Sequence, residues 1–119
     1  MIEKHTLIIQ TKNRFDWLNY SLNLYVEYKC RSKIVIIDGS DDEIYLKNSE
    51  LISSLREKLS IEQIKESTSF PEAHKNKNLS LFNYLKNFLN TPYFSHVPDD
   101  DMFFPNFAKT AIDFLENNE

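Results

Sequence analysis

The sequence predicts an α/β chain, a three-layer α/β/α sandwich around a mostly parallel sheet. Short apolar runs rich in β-branched residues, such as Ile34-Val35-Ile36-Ile37, alternate with longer stretches whose apolar residues recur every three or four positions. Polar, turn-forming segments follow several of the apolar runs. With 119 residues and a hydrophobic fraction of 41%, residues 1–119 suit one domain with one core.

The elements follow in chain order. Thr6-Leu7-Ile8-Ile9-Gln10 reads as a buried strand, closed by the polar Thr11-Lys12-Asn13-Arg14. Asn13 is the expected N-cap of a helix whose apolar stripe is Trp17, Leu18, Leu22, Tyr25 and Val26. Ile34–Ile37 is the strongest strand and stops at Asp38-Gly39-Ser40-Asp41-Asp42. A second helix is expected over 48–59, capped by Ser49 and striped by Leu51, Ile52, Leu55 and Leu59. Ile61–Ile64 forms a short third strand, 67–77 reads as irregular, and a third helix spans 79–89. Tyr93–Val97 is the fourth strand, ended by Pro98, and Pro105 opens the last helix at its first position. The aromatics Phe82, Phe88, Phe103, Phe104, Phe107 and Phe114 read as core.

Composition excludes several function classes. There are 14 basic and 18 acidic side chains, a net charge of −4, which argues against a dedicated nucleic-acid binder. No apolar run approaches the roughly 18 residues of a membrane span, and the N-terminus lacks a signal-peptide pattern. Cys30 is the one cysteine, and no Cys/His group has zinc spacing, so a reducing, cytoplasmic setting is expected. Gly39 is the one glycine, which rules out a Gly-rich dinucleotide fingerprint and a P-loop, since both need several residues without a Cβ. A nucleotide site in this chain must use carboxylates, hydroxyls and a cation.

In open α/β sheets, ligands gather beyond the carboxyl ends of the strands. Three polar clusters fall there. Asp99-Asp100-Asp101 either holds a hard divalent cation, Mg²⁺ or Mn²⁺, with help from phosphates, or is an acidic loop that favours the positive end of the next helix. In Asp38–Asp42, the Asp38 carboxylate can accept a base N–H and Ser40 can meet ribose or phosphate, or the segment is an ordinary Asp-Gly turn. In Thr11–Arg14, Thr11 and the helix amides can meet a polar ligand and Arg14 a phosphate, or the segment is a capped helix start. Lys75 and Lys77 form a small basic patch. His5, His74 and His96 have no metal spacing, and Cys30 reads as inert.

Taken together, these segments resemble the nucleotide-sugar-binding half of GT-A glycosyltransferases, the family 2-like group. Leu7–Arg14 resembles that group's opening strand and Pro-Thr-Tyr-Asn-Arg loop, with Gln10 and Lys12 in place of Pro and Tyr. Ile34–Asp42 is similar to its nucleoside-receiving strand and loop, and Pro98–Asp101 to its DxD motif. The resemblance implies a UDP- or GDP-sugar donor held by Thr11, Asn13, Arg14, Asp38, Ser40, Lys77, Asp99 and Asp100, with Asp38 on the base. It also implies Mn²⁺ or Mg²⁺ on Asp99 and Asp101, and Lys77-Asn78 stands roughly where members carry an Arg-Asn pair. Members continue beyond the DxD motif with an acceptor-binding portion that supplies a catalytic base. Here one helix follows Asp101, so the expectation is a truncated, donor-binding half with no catalytic base identified and an unknown acceptor. Glu116 and Glu119 are poorly placed for the base. Apolar surface left by the missing half would favour a homodimer. A non-catalytic binding module that keeps the fold is the alternative. A phosphoacceptor receiver domain is disfavoured, because Gln10-Thr11 stands where it needs an acidic pair.

Overall fold

The computed structural model describes residues 4–66, 79–101 and 105–117. Its elements run β1 (His5–Thr11), α1 (Phe15–Glu27), β2 (Lys33–Asp38), α2 (Asp42–Leu55), β3 (Ile61–Lys65), α3 (Leu79–Asn87), β4 (Tyr93–Pro98) and α4 (Pro105–Asn117). The four strands form one parallel sheet in the order β3-β2-β1-β4. β1 and β2 are central, and each carries an unbroken apolar run, Leu7-Ile8-Ile9 and Ile34-Val35-Ile36-Ile37, because both faces are covered there.

Alternation along the strands divides the core in two. On one face Leu7, Ile9, Ile34 and Ile36 pack with Leu18, Leu22 and Tyr25 of α1 and Ile52 and Leu55 of α2. On the other, Ile8, Val35 and Ile37 pack with Leu81 and Tyr84 of α3. Helices on both faces of a parallel sheet give the α/β/α architecture that the alternating pattern predicts. Among the described residues, the core is aliphatic with Tyr25 and Tyr84. Phe88 and Phe114 are exposed, and Trp17, placed on the α1 stripe by its spacing, is also exposed. Phe103, Phe104 and the irregular 67–77 segment lie outside the described residues, and the side chains of Phe82 and Phe107 are not described.

Two helix starts differ from expectation. The N-cap of α1 is Arg14, without a side-chain cap, because Asn13 adopts φ 52° and turns its amide to another loop. α2 begins at Asp42, six residues ahead of the predicted start, with Asp41 as N-cap and Asp42 and Glu43 in the positive first turn. Ser49 lies mid-helix, where its single hydroxyl proton has the Tyr45 carbonyl and the Gln63 side-chain oxygen as alternative acceptors. Lys29 takes the left-handed conformation (φ 55°) that closes α1, with the Cys30 N–H on the Tyr25 carbonyl and the Lys29 N–H on the Val26 carbonyl. Gly39 has no positive φ, and a Cβ there would make ordinary contacts, the nearest at 3.5 Å from Glu66 Cβ.

At the amino ends of the strands, His5 is buried between two hydroxyls: Nδ1 shares a hydrogen bond with Ser32 Oγ at 2.8 Å and Nε2 with Ser95 Oγ at 2.9 Å. Burial pushes its pKa below the ordinary 6.5. The unfolded chain therefore binds the extra proton first, so this contribution to stability is complete above pH 6.5 and is lost as pH falls towards the folded-state value. Urea midpoints should thus fall below pH 6.5 more steeply for the wild-type chain than for His5→Gln. Parallel slopes would refute this.

Candidate functional site at the carboxyl rim

Strand register sets the site. Thr11 pairs with Asp38 across β1–β2, and Gln10 pairs with Pro98 across β1–β4, so the carboxyl ends of the three strands lie side by side. Asp38 and Asp99 accordingly flank Thr11, on the single rim that the sequence pattern predicts.

On the β4 side, Thr11 Oγ1 donates to Asp99 Oδ2 at 2.7 Å, and Arg14 reaches Asp99 Oδ1 at 3.2 Å. Ser21, on the buried face of α1, donates to the Asp99 carbonyl at 3.0 Å. Asp99 is 3% exposed, and both its oxygens are occupied. The other branch of the Arg14 guanidinium stands 3.6 Å from Asp100 Oδ2, and the guanidinium lies over the Trp17 ring, 5.5 Å from its centre. Asp101 is exposed, and its N–H closes a turn on the Pro98 carbonyl.

On the β2 side, Asp38 is fully buried, and its carboxylate accepts three N–H groups: Ser40 at 2.9 Å, Asn48 at 2.8 Å and Gln63 at 2.9 Å. The two loops are laced together. The Gly39 N–H donates to the Thr11 carbonyl, the Asn13 N–H donates to Ser40 Oγ at 2.7 Å, and the Asn13 and Asp41 side chains and backbone exchange two bonds. Asn13 and Asp38, expected to meet a ligand, spend most of their polar capacity on this lacing. Tyr45 stands near Asp38, and burial, reinforced by that carboxylate's charge, pushes its hydroxyl pKa up.

Thr11, Arg14, Asp99 and Asp100 thus form one group, and Asn13, Asp38 and Ser40 a second one joined to it through Thr11. Lys77, Asn78, Lys75 and His74 lie outside the described residues. His96 sits on edge strand β4, where its ring meets Gln10 of β1, and Cys30 is buried with its thiol pKa raised by burial. Among the described residues, no three His, Cys, Asp or Glu side chains gather as a ready cation site. The open carboxylates, Asp100 and Asp101, are hard oxygen donors, the type that binds Mg²⁺ through one or two carboxylates when substrate phosphates complete the shell. The donor chemistry therefore fits a shared cation, with Asp99 in a supporting position rather than facing solvent.

Ser21, Asn48 and Gln63 are the participants that the sequence reading passed over. Ser21 interrupts the stripe Leu18, Leu22, Tyr25, and Asn48 stands at helical spacing from Leu51, Ile52 and Leu55. A polar residue in a buried stripe was the available signal for both.

No described helix is long and apolar enough to cross a membrane. No family model and no curated protein matches the sequence. Among solved structures, the chain is similar to the crystal structure of S. aureus TarS 1-349, with a TM-score of 0.66 and 20% identity over 95% of this chain and 32% of that one. The chain spans about a third of the length of that structure. This likeness supports the expected fold, a four-stranded, all-parallel α/β arrangement of the GT-A-like kind.

Proposed function

We propose that the chain binds a nucleotide-diphospho-sugar, UDP- or GDP-linked, at the carboxyl rim and presents it for glycosyl transfer to an acceptor. The observation that carries this reading is the grouping of Arg14 with Thr11, Asp99 and Asp100 at the ends of β1 and β4, in a glycosyltransferase-like fold. Arg14, anchored by Asp99 and held over Trp17, presents its remaining N–H donors to a diphosphate. Asp101 and Asp100 take a divalent cation, Mg²⁺ or Mn²⁺, whose other ligands are the phosphates. When bound, such a cation neutralises charge that develops on a departing nucleoside diphosphate. Asp38 acts by holding Ser40 and the β2–α2 loop in place, with the base lying along the surface formed by that loop and Thr11–Asn13.

Calorimetric titration with UDP and GDP tests the reading. Binding in the presence of Mn²⁺, at least tenfold weaker in EDTA, supports it. Absence of binding at millimolar nucleotide with cation overturns it and favours a non-catalytic module, a second reading to which the inward-turned Asp38 and Asn13 lend weight.

A further inference from the structure

We propose that Asp100 is an internal competitor for the phosphate-binding edge of Arg14, so that the ligand-free rim is partly self-occupied. The proposal rests on the reading of the rim as a phosphate site and concerns how that site is held closed.

The two ion pairs of Arg14 differ in kind. Its contact with Asp99 is the closer, 3.2 Å, to a carboxylate that is buried and further held by Thr11 and, through its carbonyl, by Ser21. Breaking it would strand a buried charge, so this branch is the anchor. The contact with Asp100 is 3.6 Å, to a side chain 45% exposed. Exposed pairs of that kind exchange readily with solvent and other anions. The guanidinium carbon stands 5.5 Å from the centre of the Trp17 ring, a contact that uses none of the N–H donors and leaves them to their acceptors. A carboxylate and a phosphate pair with a guanidinium through the same charge attraction, so Asp100, 3.6 Å away, stands where a phosphate would approach. A ligand must displace it, and a cation that draws Asp100 to itself releases the arginine edge in the same event. Anion and cation then assist each other through a protein side chain, in addition to any direct contact between them.

With EDTA removing the cation that Asp101 would hold, Asp101 provides the control, since it carries the same charge one residue away and pairs with no cationic side chain among the described residues. Binding of inorganic pyrophosphate in EDTA is followed by emission of Trp17, the chain's one tryptophan, and by calorimetry. Asp100→Asn should tighten pyrophosphate binding about fivefold, the upper range for releasing an exposed ion pair. Asp101→Asn should tighten it less than twofold, and Asp100→Asn in an Arg14→Gln background should give no gain. Equal gains from the two asparagine variants, a gain that survives Arg14→Gln, or no pyrophosphate binding by Asp100→Asn overturns the competitor role. UDP with Mg²⁺ on the wild-type chain separates the two failures: if it binds while the variants behave alike, the competitor role alone falls, and if it does not bind, the rim reading falls with it.

Discussion

Asp38→Ala is expected to destabilise the chain by about 3–5 kcal/mol, the range for removing one member of a buried, hydrogen-bonded charged group. The carboxylate has no exposed surface and satisfies donors from three separate places: the Ser40 backbone, Asn48 on α2 and Gln63 on β3. Alanine would leave all three facing a void too small to hydrate them fully. At this chain length the melting temperature should drop on the order of 15 °C. Asp41→Ala, at an exposed position of the same loop, should lower it far less, since its carboxylate accepts one exposed hydrogen bond, from Asn13 at 3.2 Å. Thermal unfolding followed by circular dichroism measures both, and a drop under 5 °C for Asp38→Ala would show that the three donors find other partners at small cost.

Asp101→Asn is the counterpart at the solvent face. It removes one charge and keeps the size of an exposed side chain whose backbone N–H, rather than its carboxylate, makes the local turn. Stability should stay within about 0.5 kcal/mol of wild type, with a slight gain where repulsion from Asp99 and Asp100 is relieved. Cation-dependent nucleotide binding should weaken by 10- to 100-fold or more, since losing even a residue that only supports a metal ligand has an effect of about that size. Calorimetry with UDP and Mn²⁺ reads this directly, and unchanged cation-dependent affinity would remove Asp101 from the proposed cation site. The two acidic positions therefore separate cleanly: one variant should lose the fold and the other the ligand.

Much of the fold was legible because its strands are doubly buried. Leu7-Ile8-Ile9 and Ile34–Ile37 have nowhere to sit but the middle of a parallel sheet, and the polar residues after them could only be the loops at its rim. The start of α2 was not legible. Asp41-Asp42-Glu43 reads as more of the turn until its place at the positive end of a helix is seen, and Leu46 interrupts the apolar stripe by pointing outward. Sequence order placed Thr11, Asp38 and Asp99 along one rim but did not show what their side chains bond. Asp38 and Asn13 look like ligand groups in one dimension, and only the fold shows their donors and acceptors consumed by Asn48, Gln63 and Asp41. Trp17 was misjudged for a related reason, since helical spacing gives a residue's neighbours on the stripe but not the edge at which the covered face stops.

Thr11 belongs to both halves of the rim at once, its hydroxyl on Asp99 and its carbonyl on the Gly39 N–H. Through that one residue, the loop after β2 and the turn after β4 share a common lever, and strain introduced at either is felt at the other across the width of a single strand. Valine at this position would keep the shape and the carbonyl link while deleting the hydroxyl, leaving the turn after β4 held to the rest of the rim through Arg14 and Ser21.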